Sequence, residues 1–242
     1  MRSLILCTLF VMAIPPVAHC AEGFRSHGYY LRAAVGSAHH DVGKVNDLIS
    51  KIEQWEGERL NRLSGTALMI SGGLGMFVSR NLSVGIRLNY QNNDEEFMQR
   101  ITVAGTDVSF LREETFDTDV LEGLITASVW IPRQSGLMLG AGCGISRVSV
   151  DIQLSDGGNR RVGAWSASDL VFELFSGAQI TLRNELMVFL RFGYASRDFG
   201  TVQETVYRGS DAPVFGLDAD FSGWFVEIGF GGHTRRAWSP PR

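Results

Sequence analysis

The chain has 242 residues, 28 of them glycine, and a formal net charge of -4 at pH 7. This charge argues against nucleic acid as a partner, because nucleic-acid binding needs a concentrated basic surface. The length suits a single all-β barrel, so one folded domain is expected.

The first 21 residues have the pattern of a secretory signal peptide. Arg2 supplies a positive charge, an apolar stretch follows, and "PPVAHCA" ends the segment with small residues. Cleavage after Cys20 or Ala21 is one outcome. The alternative is a lipidated Cys20, which the bulky histidine before it disfavours. The sequence therefore predicts an exported protein.

After the signal, apolar and polar residues alternate with period two in eight segments, a pattern typical of strands with one apolar face. The predicted strands span residues 28–38, 65–78, 80–93, 116–131, 137–150, 166–182, 185–197 and 218–231. Short turns follow strands two, four and six. The long loops cover residues 39–63, 93–115, 151–165 and 198–216.

These features predict an all-β fold, an eight-stranded antiparallel up-and-down transmembrane β-barrel with short periplasmic turns and long extracellular loops. A soluble barrel or sandwich also alternates and is the competing interpretation. The Gly- and Ser-rich polar face favours the membrane barrel, because a narrow lumen needs small residues. Aromatic residues also end the apolar face, where interfacial girdles lie: Tyr29 and Phe230 at the turn end, Tyr90 and Tyr194 at the loop end.

The first and last strands resemble those of the small OmpA/OmpX/OmpW-like outer-membrane barrels. "GYYLRAAVG" at residues 28–36 is similar to their opening strand, and "GWFVEIGF" at 223–230 to their terminal strand signal. The resemblance covers 28–232 and implies a place in the bacterial outer membrane. It implies contact with outer-membrane lipids and lipopolysaccharide, and insertion by the barrel-assembly machinery. Residues 233–242 are expected to form a short periplasmic tail, without an OmpA-type periplasmic domain.

The lumen faces of the predicted strands carry six charged residues: Arg32, Arg87, Glu122, Glu173, Arg191 and Glu227. A buried charge is costly unless it is paired, and arginine can bind a carboxylate through two parallel hydrogen bonds. Neighbouring strands each contribute one arginine and one glutamate, so the predicted pairs are Arg32–Glu227, Arg87–Glu122 and Arg191–Glu173. A lumen filled in this way favours a closed barrel, since water-filled channels need about 16–18 strands.

The long loops contain two further patterns. Val45, Leu48, Ile52 and Trp55 stand at helical spacing. This predicts an amphipathic helix, either packed over the barrel rim or presented to a partner or lipid surface. The loop at 93–115 alternates again, as an extended hairpin would, and it is acidic. Its charges are either solvated or bridged through divalent ions to lipopolysaccharide phosphates.

The sequence offers little catalytic chemistry. Ser37, His39 and Asp41 share one face of strand one, but alternate residues lie roughly 6.5–7 Å apart at their Cα atoms. The surrounding sequence does not match the lipid A deacylase motif. No metal-ligand spacing or cofactor motif occurs, and Cys143 is expected to face lipid as a small apolar residue.

We therefore expect a non-enzymatic protein without metal or cofactor, with a structural role or with a surface-interaction role that binds an extracellular ligand through its loops. A narrow transport route for small or apolar solutes is the first alternative. An outer-membrane lipid-modifying enzyme is the second.

Overall fold

A computed structural model describes residues 28–56, 59–79, 81–102, 109–131, 136–156, 159–182, 186–203, 206–207 and 215–233. The expected signal peptide with Cys20, and all of the expected periplasmic tail after residue 233, lie outside these residues. The tip of the hairpin expected at 93–115 also lies outside them.

The described residues form eleven strands and one helix, which we number in chain order. Their bounds are β1 Tyr29–His40, α1 Gly43–Glu56, β2 Thr66–Phe77, β3 Leu82–Thr102, β4 Ser109–Trp130, β5 Leu137–Asp156, β6 Asn159–Thr181, β7 Leu186–Ser196, β8 Asp198–Gln203, β9 Val206–Tyr207, β10 Gly216–Asp220 and β11 Gly223–His233. Within this part of the chain, no helix has the length and hydropathy needed to cross a membrane.

Eight of the strands close into an antiparallel barrel. β1 to β7 pair in chain order, β11 follows β7, and β11 pairs back with β1. The connections after β2, β4 and β6 lie at one end, called the turn end. The connections after β1, β3, β5 and β7 lie at the other end, called the loop end. The predicted eight-stranded up-and-down barrel is thus confirmed.

The barrel strands differ from the prediction in length. β3 and β4 pair without interruption as far as Thr102 and Ser109, so the acidic region at 93–115 forms the extended hairpin that its alternation indicated. β5 and β6 pair as far as Asp156 and Asn159, where the sequence analysis placed a loop. The last barrel strand begins at Gly223, five residues later than predicted, because residues 216–220 pair with β8 instead.

The outer face of the barrel is an apolar belt. Large apolar side chains stay exposed on every barrel strand, for example Leu31 at 66%, Ile125 at 67% and Leu174 at 70%. Soluble monomers rarely expose a continuous apolar surface of this extent, so lipid is the medium that the belt fits. The shortest barrel strands have 11 or 12 residues, which is enough, since roughly 9–11 tilted residues cross a bilayer.

The interior contains two zones of opposite chemistry. Inside the belt, the inward faces carry charged and aromatic residues. Beyond the belt, the extended parts of β3 to β6 surround an apolar cluster, which we call the loop-end core. Its members are Val42, Val45, Leu48, Ile49, Ile52, Leu60, Leu63, Phe116, Val120, Val148, Val150, Ile152, Leu154, Trp165, Leu217, Ala219 and Phe221.

Helix α1 contributes one face to the loop-end core. The Asp41 carboxylate accepts a hydrogen bond from the backbone N–H of Gly43 at 3.0 Å and caps the first turn. Val45, Leu48 and Ile49 are at most 1% exposed. The predicted amphipathic helix therefore packs over the barrel opening, with its apolar stripe turned inward.

Candidate functional site in the barrel lumen

All six charged residues that the alternation places in the lumen are buried there. Each is at most 8% exposed: Arg32, Arg87, Glu122, Glu173, Arg191 and Glu227. With Arg197 they form the set that we call the ionic lumen. Period-two alternation explains this placement, because every second residue of a strand faces inward.

The part of the ionic lumen nearer the turn end links four strands. Nη2 of Arg87 on β3 donates a hydrogen bond to Oε2 of Glu173 on β6 at 2.5 Å. Nη2 of Arg191 lies 2.8 Å from Oε1 of Glu227 on the neighbouring β11. Arg87 also approaches Glu227, at 3.8 Å. The hydroxyl of Ser71 donates to the other oxygen of Glu227 at 2.8 Å. Arg87 therefore links β3 to β6 and β11 across the lumen, whereas Arg191 links the neighbouring strands β7 and β11.

The part nearer the loop end is built around Glu122. Arg197 donates to both of its carboxylate oxygens, from Nε at 2.5 Å and from Nη2 at 3.2 Å. The side-chain amides of Asn89 and Gln91 donate to the same carboxylate at 3.0 and 3.2 Å. This geometry is the bidentate arrangement that makes an arginine–carboxylate pair strong.

Arg197 is the lumen residue that the sequence analysis missed. It follows β7 directly and is 1% exposed. Arg197 stands six residues after Arg191, so the period-two alternation that runs through Gly193 and Ala195 already predicts that both arginines face inward. The residue stood at the last position of the predicted strand, beside a long loop, and was not considered as a partner.

The predicted pairing within the lumen is corrected by the structure. None of the pairs Arg32–Glu227, Arg87–Glu122 and Glu173–Arg191 is joined by a salt bridge between the described side chains. The strand register explains the difference. Arg32 stands opposite Gly231, and Glu227 stands opposite Gly36, four residues higher. Arg191 instead pairs with Glu227, which stands directly opposite it on β11, and Arg87 reaches across the lumen to Glu173.

Aromatic rings support the arginines. The guanidinium carbon of Arg32 lies 4.2 Å from the Tyr30 ring centroid. Arg87 lies 5.2 Å from the ring of Phe225, and Arg191 lies 4.9 Å from another lumen ring. These distances are within the range of cation–π attraction, which strengthens where water is excluded.

The turn end of the lumen is filled by apolar side chains. Tyr30, Phe77 and Trp130 pack edge to face or tilted, with centroid separations of 5.6 and 6.1 Å. Small residues make room for large ones opposite. At Gly142, for instance, an added Cβ would lie 2.8 Å from atoms of Glu173. The Gly-rich polar face of the sequence thus belongs to a lumen packed with side chains.

The four residues predicted for the aromatic girdle all point outward. Tyr29 and Phe230 lie toward the turn end, and Tyr90 and Tyr194 toward the loop end. Their role at the lipid–water interface stays a prediction. Trp224, which the girdle prediction omitted, joins this group. Its ring stacks on a neighbouring phenylalanine at 5.2 Å and meets Tyr194 edge to face at 4.9 Å.

Beyond Tyr90, four aspartates form an outward-facing group, the acidic ladder: Asp94, Asp117, Asp119 and Asp151. Asp94, Asp117 and Asp151 stand directly opposite one another on β3, β4 and β5. Burial first, and the neighbouring carboxylates second, raise the pKa of Asp117 above its ordinary value. Burial and then Asp119 raise the pKa of Asp151 in the same way.

Ser37, His39 and Asp41 of the first strand region do not form a catalytic relay. His39 Nδ1 lies 3.4 Å from the hydroxyl of Thr66, and the Asp41 carboxylate is bonded to the backbone of Gly43. A relay would need contact between Ser37 and His39, and between His39 and Asp41. Across the described ranges, no group of three or more His, Cys, Asp or Glu side chains is placed to hold a metal ion. Cys143 is a free, exposed thiol on the outer face.

No protein-family model and no curated protein sequence matches the chain. A similar solved structure is the outer-membrane protein OprG from Pseudomonas aeruginosa, 11% identical over 88% of this chain and 99% of OprG, with a TM-score of 0.47. Ail, the attachment invasion locus protein of Yersinia pestis, in complex with the heparin analogue sucrose octasulfate, is 11% identical over 87% of this chain and 100% of Ail, with a TM-score of 0.46. The outer-membrane protease OmpT of Escherichia coli is 8% identical over 86% of this chain and 96% of OmpT, with a TM-score of 0.38.

Identities this low, with TM-scores below 0.5, carry no argument about function. The membrane assignment rests on the chain's own geometry, which combines a closed ring of eight antiparallel strands, an apolar belt, and a set of charged residues buried in the lumen inside that belt. Even-numbered antiparallel barrels with short turns at one end and long connections at the other are the form that outer-membrane proteins take. The chain is an integral β-barrel protein of the bacterial outer membrane.

Proposed function

We propose that this protein is a closed, non-enzymatic outer-membrane barrel that displays an ordered structure for contacts at the cell surface. The observation that carries this proposal is the presence of two seals in series along the barrel axis. The ionic lumen fills the membrane-spanning part, and the loop-end core with helix α1 fills the part beyond it.

The first seal argues against a solute path through the barrel axis. Paired charges bridge the lumen from β3 to β6 and from β4 to the end of β7. Opening a route would break these pairs in a confined space, and removing one partner of a buried pair is strongly destabilising. A transport role therefore has less support than a structural one.

The second seal supports a role at the surface. Long hairpins usually need packing to hold one conformation, and here the inward faces of β3 to β6 share an apolar core with α1 and β10. Such a core gives the extracellular part a fixed shape. An extracellular ligand would then bind a preformed surface. Lipopolysaccharide is the immediate neighbour of the acidic ladder, and the barrel-assembly machinery is the partner that we expect during insertion.

Planar-bilayer recording tests the closed lumen. The purified wild-type barrel and a variant lacking residues 43–63, which contain α1, are compared with a water-filled porin in the same bilayers. We expect no sustained conductance from either, because the ionic lumen stays in place when the helix is gone. Sustained conductance of the wild type would contradict the proposal that the barrel is closed. Conductance of the deletion variant alone would show that the loop-end core, and not the ionic lumen, closes the barrel.

Two further measurements address the surface role and the enzymatic alternative. An epitope inserted between residues 105 and 106 is expected to be accessible to antibody on intact cells, and its protection would reverse the proposed orientation. Mass spectrometry of lipid A, with and without expression of the protein, is expected to show unchanged acylation. A changed pattern would favour the lipid-modifying enzyme instead.

A further inference from the structure

The turn-end half of the ionic lumen contains one more positive charge than negative charges. Arg32, Arg87 and Arg191 share this region with two carboxylates, Glu173 and Glu227. The third lumen carboxylate is already held by both ends of the Arg197 guanidinium. The next charged residue on the inward face of β6 is Asp169, and it is exposed to solvent.

Arg32 is the member of this group without an ion pair to any described carboxylate. Its guanidinium instead contacts the faces of two aromatic rings, Tyr30 at 4.2 Å and Phe189 at 5.6 Å. The residue is 8% exposed, and Nη1 of its guanidinium is buried without a hydrogen-bond partner. A buried charge without a counter-charge is costly, and an arginine cannot relieve that cost by releasing its proton.

A small cavity lies where the three arginines converge. Arg32, Gly73 and Arg87 stand in one row across β1, β2 and β3, and all three line the cavity. The cavity has a volume of about 10 Å³, and Arg191 and Ser71 also line it.

The arginines that line this cavity have donor groups without acceptors. Nη1 of Arg32, Nε and Nη1 of Arg87, and Nε of Arg191 are buried and have no hydrogen-bond partner among the described residues. Arg87 Nη1 has a carboxylate oxygen of Glu227 at 3.8 Å, beyond hydrogen-bond length. Oε1 of Glu173 and Oε1 of Glu227 are also buried without a hydrogen-bond partner, so the four donor nitrogens outnumber the two free acceptors of this group. Buried polar groups are nearly always satisfied, and this excess of donors, with the excess positive charge, points to a further acceptor.

We propose that this cavity binds one small monovalent anion of the halide class. An anion accepts hydrogen bonds from all three guanidinium groups and cancels the excess charge. The volume is close to that of one water-sized probe, so a single-atom ion fits after small shifts of the flexible arginine side chains. Phosphate and sulfate are too large. A water molecule would satisfy the nitrogens but leave the charge uncompensated, which separates the two occupants experimentally.

Chloride dependence of stability is the first test. Urea unfolding of the barrel in a zwitterionic detergent is followed by tryptophan fluorescence at constant ionic strength, while chloride replaces gluconate, an anion too large for the cavity. A ligand bound to the folded state alone raises its stability with concentration. We expect the unfolding midpoint of the wild type to rise with chloride.

Two variants separate this site from general salt effects. Arg32→Gln removes the unpaired charge, leaves two arginines facing two glutamates, and is expected to lose the chloride-dependent shift. Arg62→Gln changes an exposed arginine outside the lumen and is expected to keep it. A midpoint in the wild type that is the same in chloride and gluconate would overturn the proposal. A shift that persists at full size in Arg32→Gln would do so too.

Anomalous diffraction from wild-type crystals grown in bromide is the second test, and it does not depend on whether a variant folds. We expect a bromide peak in contact with the guanidinium groups of Arg32, Arg87 and Arg191. Absence of the peak from an otherwise ordered lumen would contradict the proposal and leave water as the occupant. Neither test involves conductance, so its outcome is independent of the role proposed above for the whole barrel.

Discussion

The ionic lumen and the loop-end core fill the same barrel with opposite chemistry. Within the membrane, the outward residues are apolar and the inward ones are charged. Beyond the membrane, most inward residues are apolar, apart from buried polar ones such as Arg112, Glu114 and Thr118, and the outward residues include the acidic ladder. Strand β4 passes through both zones on a single face, from Glu122 in the lumen to Val120 and Phe116 in the core.

This difference between the two zones shows that the medium around the barrel wall determines which side chains the barrel interior can hold. Where lipid covers the wall, the outward side chains already satisfy the hydrophobic requirement, and the lumen can hold charges if they are paired. Where water covers the wall, stability requires an apolar interior. The change occurs between Glu122 and Val120, so variants on the two sides of this boundary should fail in different ways.

The largest effect is expected from Glu122→Ala. The change leaves the guanidinium of Arg197 buried without its carboxylate, and breaking a buried pair costs about 3–5 kcal/mol. Urea unfolding in detergent micelles measures the loss. The double variant Glu122→Ala with Arg197→Ala should lose less than the sum of the two single variants, because it leaves no buried charge unpaired.

An exposed ion pair provides the control for this experiment. Arg62 and Glu53 form a salt bridge near α1 with partly exposed side chains. Arg62→Ala is therefore expected to cost no more than about 1 kcal/mol. If Glu122→Ala proves equally mild, the ionic lumen is hydrated in solution and the contrast between the two zones weakens.

The second largest effect is expected from Ile49→Ala in helix α1. Ile49 is completely buried in the loop-end core, and such truncations cost about 2–5 kcal/mol. The loss should be confined to the part beyond the membrane. We expect faster protease cleavage of the extracellular region on intact cells, while heat-modifiable gel migration of the barrel stays unchanged.

Lys51→Ala is the matched control on the exposed face of the same helix and should leave the cleavage rate unchanged. A barrel that loses its heat resistance in Ile49→Ala would show that the two zones fold as one unit. That result would contradict the separation proposed here.

The features that the sequence predicts correctly are those that depend on a local rule. Alternation alone placed Arg87 and Glu173 in the lumen, because facing inward or outward depends only on position along a strand. Their partnership could not be read in the same way. It depends on register and on reach across a narrow lumen between β3 and β6, which are not neighbours. The extension of β5 and β6 was missed for a related reason, since inward apolar residues beyond the membrane reverse the pattern that identifies the spanning part.

A smaller effect is expected from Glu114→Ala, at the join between the barrel and the segment after α1. The Glu114 carboxylate is fully buried and accepts hydrogen bonds from the backbone and side-chain N–H groups of Asn61, both at 3.0 Å. Leaving these donors unsatisfied should cost about 1–3 kcal/mol. Hydrogen exchange should then accelerate at residues 59–63. Unchanged exchange there would mean that water replaces the carboxylate at little cost.

The smallest effect concerns the acidic ladder and has a defined dependence on pH. The pKa values of Asp117 and Asp151 are raised in the folded protein, so the folded state binds protons more readily than the unfolded chain. Their contribution is therefore most favourable below the ordinary aspartate pKa of about 3.9, and it is lost as the pH rises through the raised pKa values. Asp117→Asn removes this charge and should be more stable than the wild type at pH 7 by a fraction of a kcal/mol, about 0.2–1 kcal/mol for facing side chains.

Urea midpoints of the wild type and Asp117→Asn at pH 7 and pH 4 measure this difference. Other carboxylates titrate in both proteins and cancel in the comparison, so the advantage of the variant should shrink on acidification. Asp47→Asn, at an exposed position on α1 away from the ladder, is expected to show no such trend. If Asp117→Asn is instead less stable than the wild type at pH 7, the carboxylate makes a favourable contact that outweighs repulsion from Asp94 and Asp151. The outer surface beyond the membrane would then contribute to stability through its charges, as the ionic lumen does within it.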